Sequence, residues 1–176
     1  MKHLLKNGKE IIIREATEKD AESVIAYVKD IILQSDNLTF ENGEFNPSVD
    51  SEKQFISSIN SSTNQCFLLA FCGDEIIGNL SINSAERARL RHSGELSITV
   101  SKEYWNQGTA THLMDEFVKW LNTTDLKKIN LSVKEDNKNA IKLYENFGFK
   151  QEGMISRAFY IDDRYYSSIC MGMIVD

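Results

Sequence analysis

The chain lacks most of what would divide it, anchor it or load it with metal. It holds a single proline, Pro47, among 176 residues, so no proline-rich hinge breaks it, and neither an internal repeat nor a low-complexity linker is present. No apolar run approaches the ~20 residues that span a bilayer. Met1-Lys2-His3-Leu4-Leu5-Lys6 has no signal-peptide core. Cysteine is scarce and odd in number. Cys66, Cys72 and Cys170 make neither a CxxC pair nor a cluster with histidine at metal-ligand spacing, so reduced thiols, a cytoplasmic location and no metal are expected. The dinucleotide fingerprint GxGxxG and the triphosphate loop GxxxxGK[ST] are both missing. Positive charge is in the minority, and the net charge of −6 argues against a nucleic-acid surface. It agrees with a cationic substrate.

What is present reads as one α/β domain, 1–176, long enough to bury a real core. Ile11-Ile12-Ile13-Arg14 is a short strand, and Thr17 is the N-cap of a helix with the apolar face Ala21, Val24, Ile25, Val28 and Ile32. Ser35 to Pro47 reads as a loop before a second helix carrying Phe55, Ile56 and Ile59. Cys66 to Phe71, Ile76 to Ile82 and the alternating Leu96, Ile98 and Val100 form a meander. A helical stripe of Ala110, Leu113, Met114, Phe117, Val118 and Leu121 follows Gly108. Ile129, Leu131 and Val133 alternate as a strand. Ala140, Leu143, Tyr144 and Phe147 make a shorter helix closed by Gly148, and two long strands, Lys150 to Ile161 and Tyr165 to Val175, end the chain. The strand from Leu96, the helix from Thr109 and the strand from Ile129 form a crossover, so those two strands are expected to be parallel.

The chemistry concentrates at Trp105-Asn106-Gln107-Gly108-Thr109-Ala110-Thr111, between a strand and a helix. Small residues there leave backbone N–H groups facing outward at the positive end of the helix dipole, which suits a phosphate or pyrophosphate. An ordinary tight turn with a cap is the alternative on this segment alone.

The order from Gly94 to Phe149 is more specific. The loop supplying Gly108 and Ala110 is followed by Val133-Lys-Glu-Asp-Asn137-Lys-Asn-Ala140-Ile141-Lys-Leu143-Tyr144-Glu-Asn-Phe-Gly148-Phe149. This resembles the GNAT superfamily of N-acetyltransferases, whose signature is a strand, a Gln/Arg-x-x-Gly-x-Gly/Ala loop and a helix, then a strand and an Asn-containing helix ending in Tyr-x-x-x-Gly-Phe. The closing run from Tyr160 to Met171 is similar to bacterial relatives acting on ribosomal-protein N-termini or polyamines. The resemblance covers nearly the whole chain and implies the GNAT fold, a mixed, mostly antiparallel sheet of about seven strands flanked by about four helices. It implies acetyl-CoA as co-substrate and an amine acceptor, with no metal, nucleic acid or membrane, and it leaves a homodimer open. Trp105 departs from the pattern by standing where the family has Gln or Arg, so no polar side-chain contact to the cofactor is expected there.

The resemblance also assigns roles. The backbone of Ile98, Thr99 and Val100 would pair with the pantetheine arm, and amides of Gln107, Gly108, Thr109, Ala110 and Thr111 would hold the pyrophosphate. Asn137 would reach the arm or the region of the departing sulfur, Tyr144 would return a proton to the leaving thiolate, and Glu95 would take one from the incoming ammonium. These types suit the reaction, since an alkylamine with a pKa near ~10 must be neutral to attack a thioester. Each has a plainer reading: Tyr144 as a core residue, Glu95 as a solvated strand end, Asn137 as an N-cap. A small amine, a polyamine and a peptide N-terminus all remain open as acceptors. A non-catalytic acyl-CoA-binding module is the competing class.

Overall fold

Every residue of the run Cys66-Phe67-Leu68-Leu69-Ala70-Phe71 is buried, which requires cover on both faces of its strand. The computed structural model, describing residues 1–176, supplies that cover. Its strands are β1 (Lys2–Leu4), β2 (Glu10–Glu15), β3 (Cys66–Cys72), β4 (Glu75–Ser84), β5 (Ser93–Val100), β6 (Lys128–Lys134), β7 (Lys150–Ile161) and β8 (Arg164–Ile174). Its helices are α1 (Ala21–Gln34), α2 (Val49–Asn60), α3 (Thr109–Leu121) and α4 (Lys138–Asn146). All eight strands form one sheet in the order β1-β2-β3-β4-β5-β6-β8-β7. Only β5 and β6 run parallel, as the crossover through α3 demands.

The two faces carry separate cores. On one, Phe67, Leu69 and Phe71 of β3 meet Val24, Tyr27, Ile31, Ile56 and Ile59 from α1 and α2. On the other, Cys66, Leu68 and Ala70 join Leu113, Met114, Phe117 and Leu121 of α3 and Tyr144 of α4. Alternation along β3 therefore divides its side chains between two helical layers. In α1 the buried stripe runs Ala21, Val24, Ile25, Tyr27 and Ile31. Val28 is half-buried against the same core and Ile32 is half-buried. Tyr27 and Ile31 are the more deeply buried, so the face is centred nearer Val24 and Ile31 than expected. The helix follows a 3-10 turn, Glu18–Asp20. That turn is tied down by the Asp20 carboxylate, which accepts from the Thr17 N–H at 2.7 Å and from Arg14 at 2.7 and 2.8 Å.

The sheet has one strand more than expected. β1 is three residues long, too short for its alternation to stand out. It pairs with β2 and turns His3 onto the His112 ring of α3, with ring centroids 4.6 Å apart. His3 also meets the buried Glu116 carboxylate at 3.0 Å.

Candidate functional site

The sheet opens in its middle. β5 and β6 pair through only three positions, Ser93 with Lys128, Gly94 with Ile129 and Glu95 with Asn130. Beyond them β5 continues against β4 as far as Val100, and β6 continues against β8 as far as Lys134. Ser101 N–H donates to Ile77 of β4 at 2.9 Å. Hydrogen-bonding direction alternates along an antiparallel strand, so the N–H and C=O groups of Leu96, Ile98 and Val100 point away from β4 and into the gap.

The chain leaving β5 closes the top of this gap. Asn106 and Gly108 both have positive φ, 59° and 103°, and the second conformation is open mainly to glycine. Gly108 becomes the N-cap of α3. The first intrahelical bond runs from His112 N–H to the Gly108 carbonyl at 2.9 Å, which leaves the amides of Thr109, Ala110 and Thr111 without helical acceptors. The Thr109 hydroxyl is buried there with no partner. Gln107 faces differently: its carbonyl accepts from the Lys6 N–H at 3.0 Å, fastening the β1–β2 turn to this loop.

Trp105 also borders this region. Its indole N–H donates to the Val100 carbonyl at 2.7 Å, so the position keeps a polar contact. That contact is spent within the chain, locking the end of β5 to the turn.

These elements enclose a cleft of about 670 Å³ lined by β5 from Leu96 to Val100, the first turn of α3, the end of β6 and the inner face of α4. Its charged lining residues are Lys6, Lys134 and Lys142. In a chain of net charge −6 a cleft bordered only by cations favours an anionic ligand. A second, more polar cavity of about 400 Å³ adjoins it and shares Trp105, Lys134 and Asn137 with it.

Of the residues singled out in the sequence, Ile98, Thr99, Val100, Gly108, Thr109, Ala110, Thr111, Asn137 and Tyr144 all border the larger cleft. Gln107 does not, nor does Glu95. Asn137 is the N-cap of α4, its side-chain oxygen accepting from the Ala140 N–H at 3.2 Å; its amide NH₂ is the part left for a ligand. Tyr144 is buried against Phe149 with ring centroids 5.8 Å apart. Burial alone pushes its phenol well above the usual range, which keeps it a proton donor at any ordinary pH. Glu95 sits at the last closed pair of β5 and β6. Its side chain shares the sheet face of Ser97 and Thr99, opposite Leu96, and partial burial raises its carboxyl pKa.

Lys6, Lys134 and Lys142 were not marked by sequence reasoning. Lys134 had a signal: it continues the alternation of Asn130 and Ser132 opposite Ile129, Leu131 and Val133. For Lys6 and Lys142 no local pattern points to the cleft.

Comparison with known proteins agrees with this geometry. Residues 30–149 match the model of the acetyltransferase (GNAT) family. The chain is 31% identical over 108 residues to the L-amino acid N-acetyltransferase AaaT of Escherichia coli strain K12, a match spanning 58% of this chain and 67% of that protein. It is 28% identical over 115 residues to the spermidine N(1)-acetyltransferase of Vibrio cholerae, covering 65% of each. A crystal structure of a GNAT-family acetyltransferase from Streptococcus pneumoniae superposes with a TM-score of 0.91 at 32% identity, covering 94% of this chain and 99% of that one.

Proposed function

The chain belongs to the GNAT acetyltransferase family, and on that premise we propose that it moves the acetyl group of acetyl-CoA directly onto a primary amine. The observation that carries this reading is the gap between β5 and β6, lined by backbone groups turned away from β4 and by lysines as its only charged side chains. A narrow arm ending in phosphates fits such a space. Backbone groups of Ile98 and its neighbours would pair with the amides of the arm. The amides of Thr109, Ala110 and Thr111, at the positive end of α3, would take the pyrophosphate. Asn137 would donate to the arm through its free NH₂.

For the chemistry, the amine nitrogen attacks the thioester carbonyl, the C–S bond breaks and the sulfur leaves as thiolate. Tyr144, held protonated by burial, supplies the proton to that sulfur. Glu95 faces the side from which an acceptor approaches, across from α3, and its raised pKa makes it a better base for an ammonium proton than an ordinary carboxylate. It stands outside the cleft wall, so transfer through one water is the route its position favours. The relatives' names include amino acids and spermidine as acceptors, so the deciding experiment is release of CoA thiol from acetyl-CoA against a panel holding both. No release with any amine, alongside tight acetyl-CoA binding, would mark a binding module instead.

Glu95 is testable by pH. A base with a raised pKa is inactive while protonated, so kcat/KM should rise with pH through that ionisation. In Glu95→Gln this limb should vanish, and the remaining rate should follow the amine's own deprotonation toward ~10. A change confined to the acceptor KM, with the kcat profile intact, would make Glu95 an attractor of the cation and no base. Steady-state kinetics from about pH 6 to 10 separates the two.

A further inference from the structure

The three lysines of the cleft stand on different sides of the sheet. Lys6 adjoins the α3 turn through its bond to Gln107, and Lys142 lies on α4. Both belong to the side where Leu113, Phe117 and Tyr144 pack. Lys134 is on the other side. Leu131 and Val133 of β6 are buried in the α3 core, so Ser132 and Lys134 face the opposite way. There they join Ser97 and Thr99 of β5, the latter bonded to Tyr27 of α1 at 2.8 Å. This is the face toward which Glu95 also points.

Lys134 is unusual for a lysine in being 8% exposed, since the type is almost never buried without full pairing. Its ammonium has one carboxylate partner, the half-exposed Asp136 at 2.9 Å, and lies 4.1 Å from the centre of the Tyr166 ring. The next carboxylate along, Glu135, is already taken by the Ser167 N–H at 2.7 Å. An ammonium carries three donors. One is on Asp136 and one is toward the ring, which leaves a third on a residue that lines both the 670 Å³ cleft and the 400 Å³ cavity. A buried donor without an acceptor is costly to leave unmatched. Beneath it the cross-strand neighbour Ser168 is buried with its hydroxyl unpartnered.

We propose that Lys134 reads a carboxylate on the acceptor, so that the amine acetylated by this protein is borne by a molecule that also carries an acid, as an amino acid does. This rests on the acetyl-transfer reading above. Lys134 then stands at the open end of the gap for the anion. A polyamine offers no carboxylate to this donor, so it gains nothing from Lys134.

The test compares L-amino acids, each against its own carboxamide, by CoA release. The amide's amine is the weaker base and is more often neutral, so proton availability favours the amide, and a preference for the acid reports recognition. Wild-type protein is expected to favour the acid by about 10-fold or more in kcat/KM, the scale of a hydrogen bond to a charged group. Lys134→Gln should bring that ratio to one or below, where proton availability alone leaves it, and Lys134→Arg should keep most of it. Amides used as well as acids by the wild type, a preference for spermidine over amino acids, or equal loss on acid and amide in Lys134→Gln would each overturn the assignment. The wild-type ratio decides even if a variant fails to fold. Absence of CoA release with every amine is a different result, and it defeats acetyl transfer itself.

Discussion

Gly108→Glu should raise the Kd for acetyl-CoA by on the order of 100-fold or more. Two like unit charges about 4 Å apart near a protein surface repel by about 4 kcal/mol, and the added carboxylate would stand at the N-terminus of α3, where the proposed pyrophosphate meets backbone donors. The substitution also has a backbone component, because Gly108 has φ +103°, a conformation that side chains resist by roughly 1–2 kcal/mol. Space is not the obstacle: a Cβ there would meet the His112 ring at 3.7 Å, an ordinary contact. Gly108→Ala therefore isolates the strain. Calorimetric titration of both folded variants should show a mild loss for alanine and a near-complete one for glutamate. Equal losses would place the effect in the backbone, and wild-type affinity in Gly108→Glu would remove the phosphate turn from this loop.

Tyr144→Phe should lower kcat by ~10²–10⁴-fold, the usual worth of a positioned general acid, with little change in acetyl-CoA affinity. The charge on sulfur develops only as the C–S bond breaks, so the phenol's contribution is made in the transition state and appears in kcat. Phenylalanine keeps the packing on Phe149 and the rest of the α3 core, which removes instability as a rival cause. Single-turnover kinetics beside a binding titration measures the two quantities apart. Unchanged turnover would make Tyr144 a core residue only.

The main elements were legible wherever a long periodic segment met a clear stop. β3, α3 and β6 announced themselves by apolar runs of the right period, and Gly148, with φ +89°, ended α4 where a C-cap glycine should. β1 was not legible, because three residues carry no period and its pairing depends on β2, His112 and Glu116 arriving from elsewhere. The inward face of α1 was legible through Ala21, Val24 and Ile25, but Tyr27 and Ile31 on its flank are buried more deeply than Val28 and Ile32 because α2 and β3 cover that flank. At the site, the motif residues were readable because they are local in sequence. For Lys134 the alternation of β6 showed its face but not its burial, which comes from Tyr166 and Ser168 of β8, more than thirty positions away. Trp105 shows the same limit: its departure from the pattern was visible, but its bond to Val100 needed the fold.

The gap also changes how many exposed strand borders this sheet must manage. An unbroken eight-stranded sheet has two edges, here β1 and β7, and each is a template for pairing with another chain. Parting β5 from β6 creates two more in the interior. These are protected by access, with α3 and α4 on one side, the α1–α2 loop on the other and the Trp105 indole across the Val100 carbonyl. A second polypeptide strand, with side chains on both faces, would have to displace one of these covers to enter. The proposed arm of methylenes and amides carries no such side chains, so the cover that keeps these edges from aggregating would also select what pairs with them.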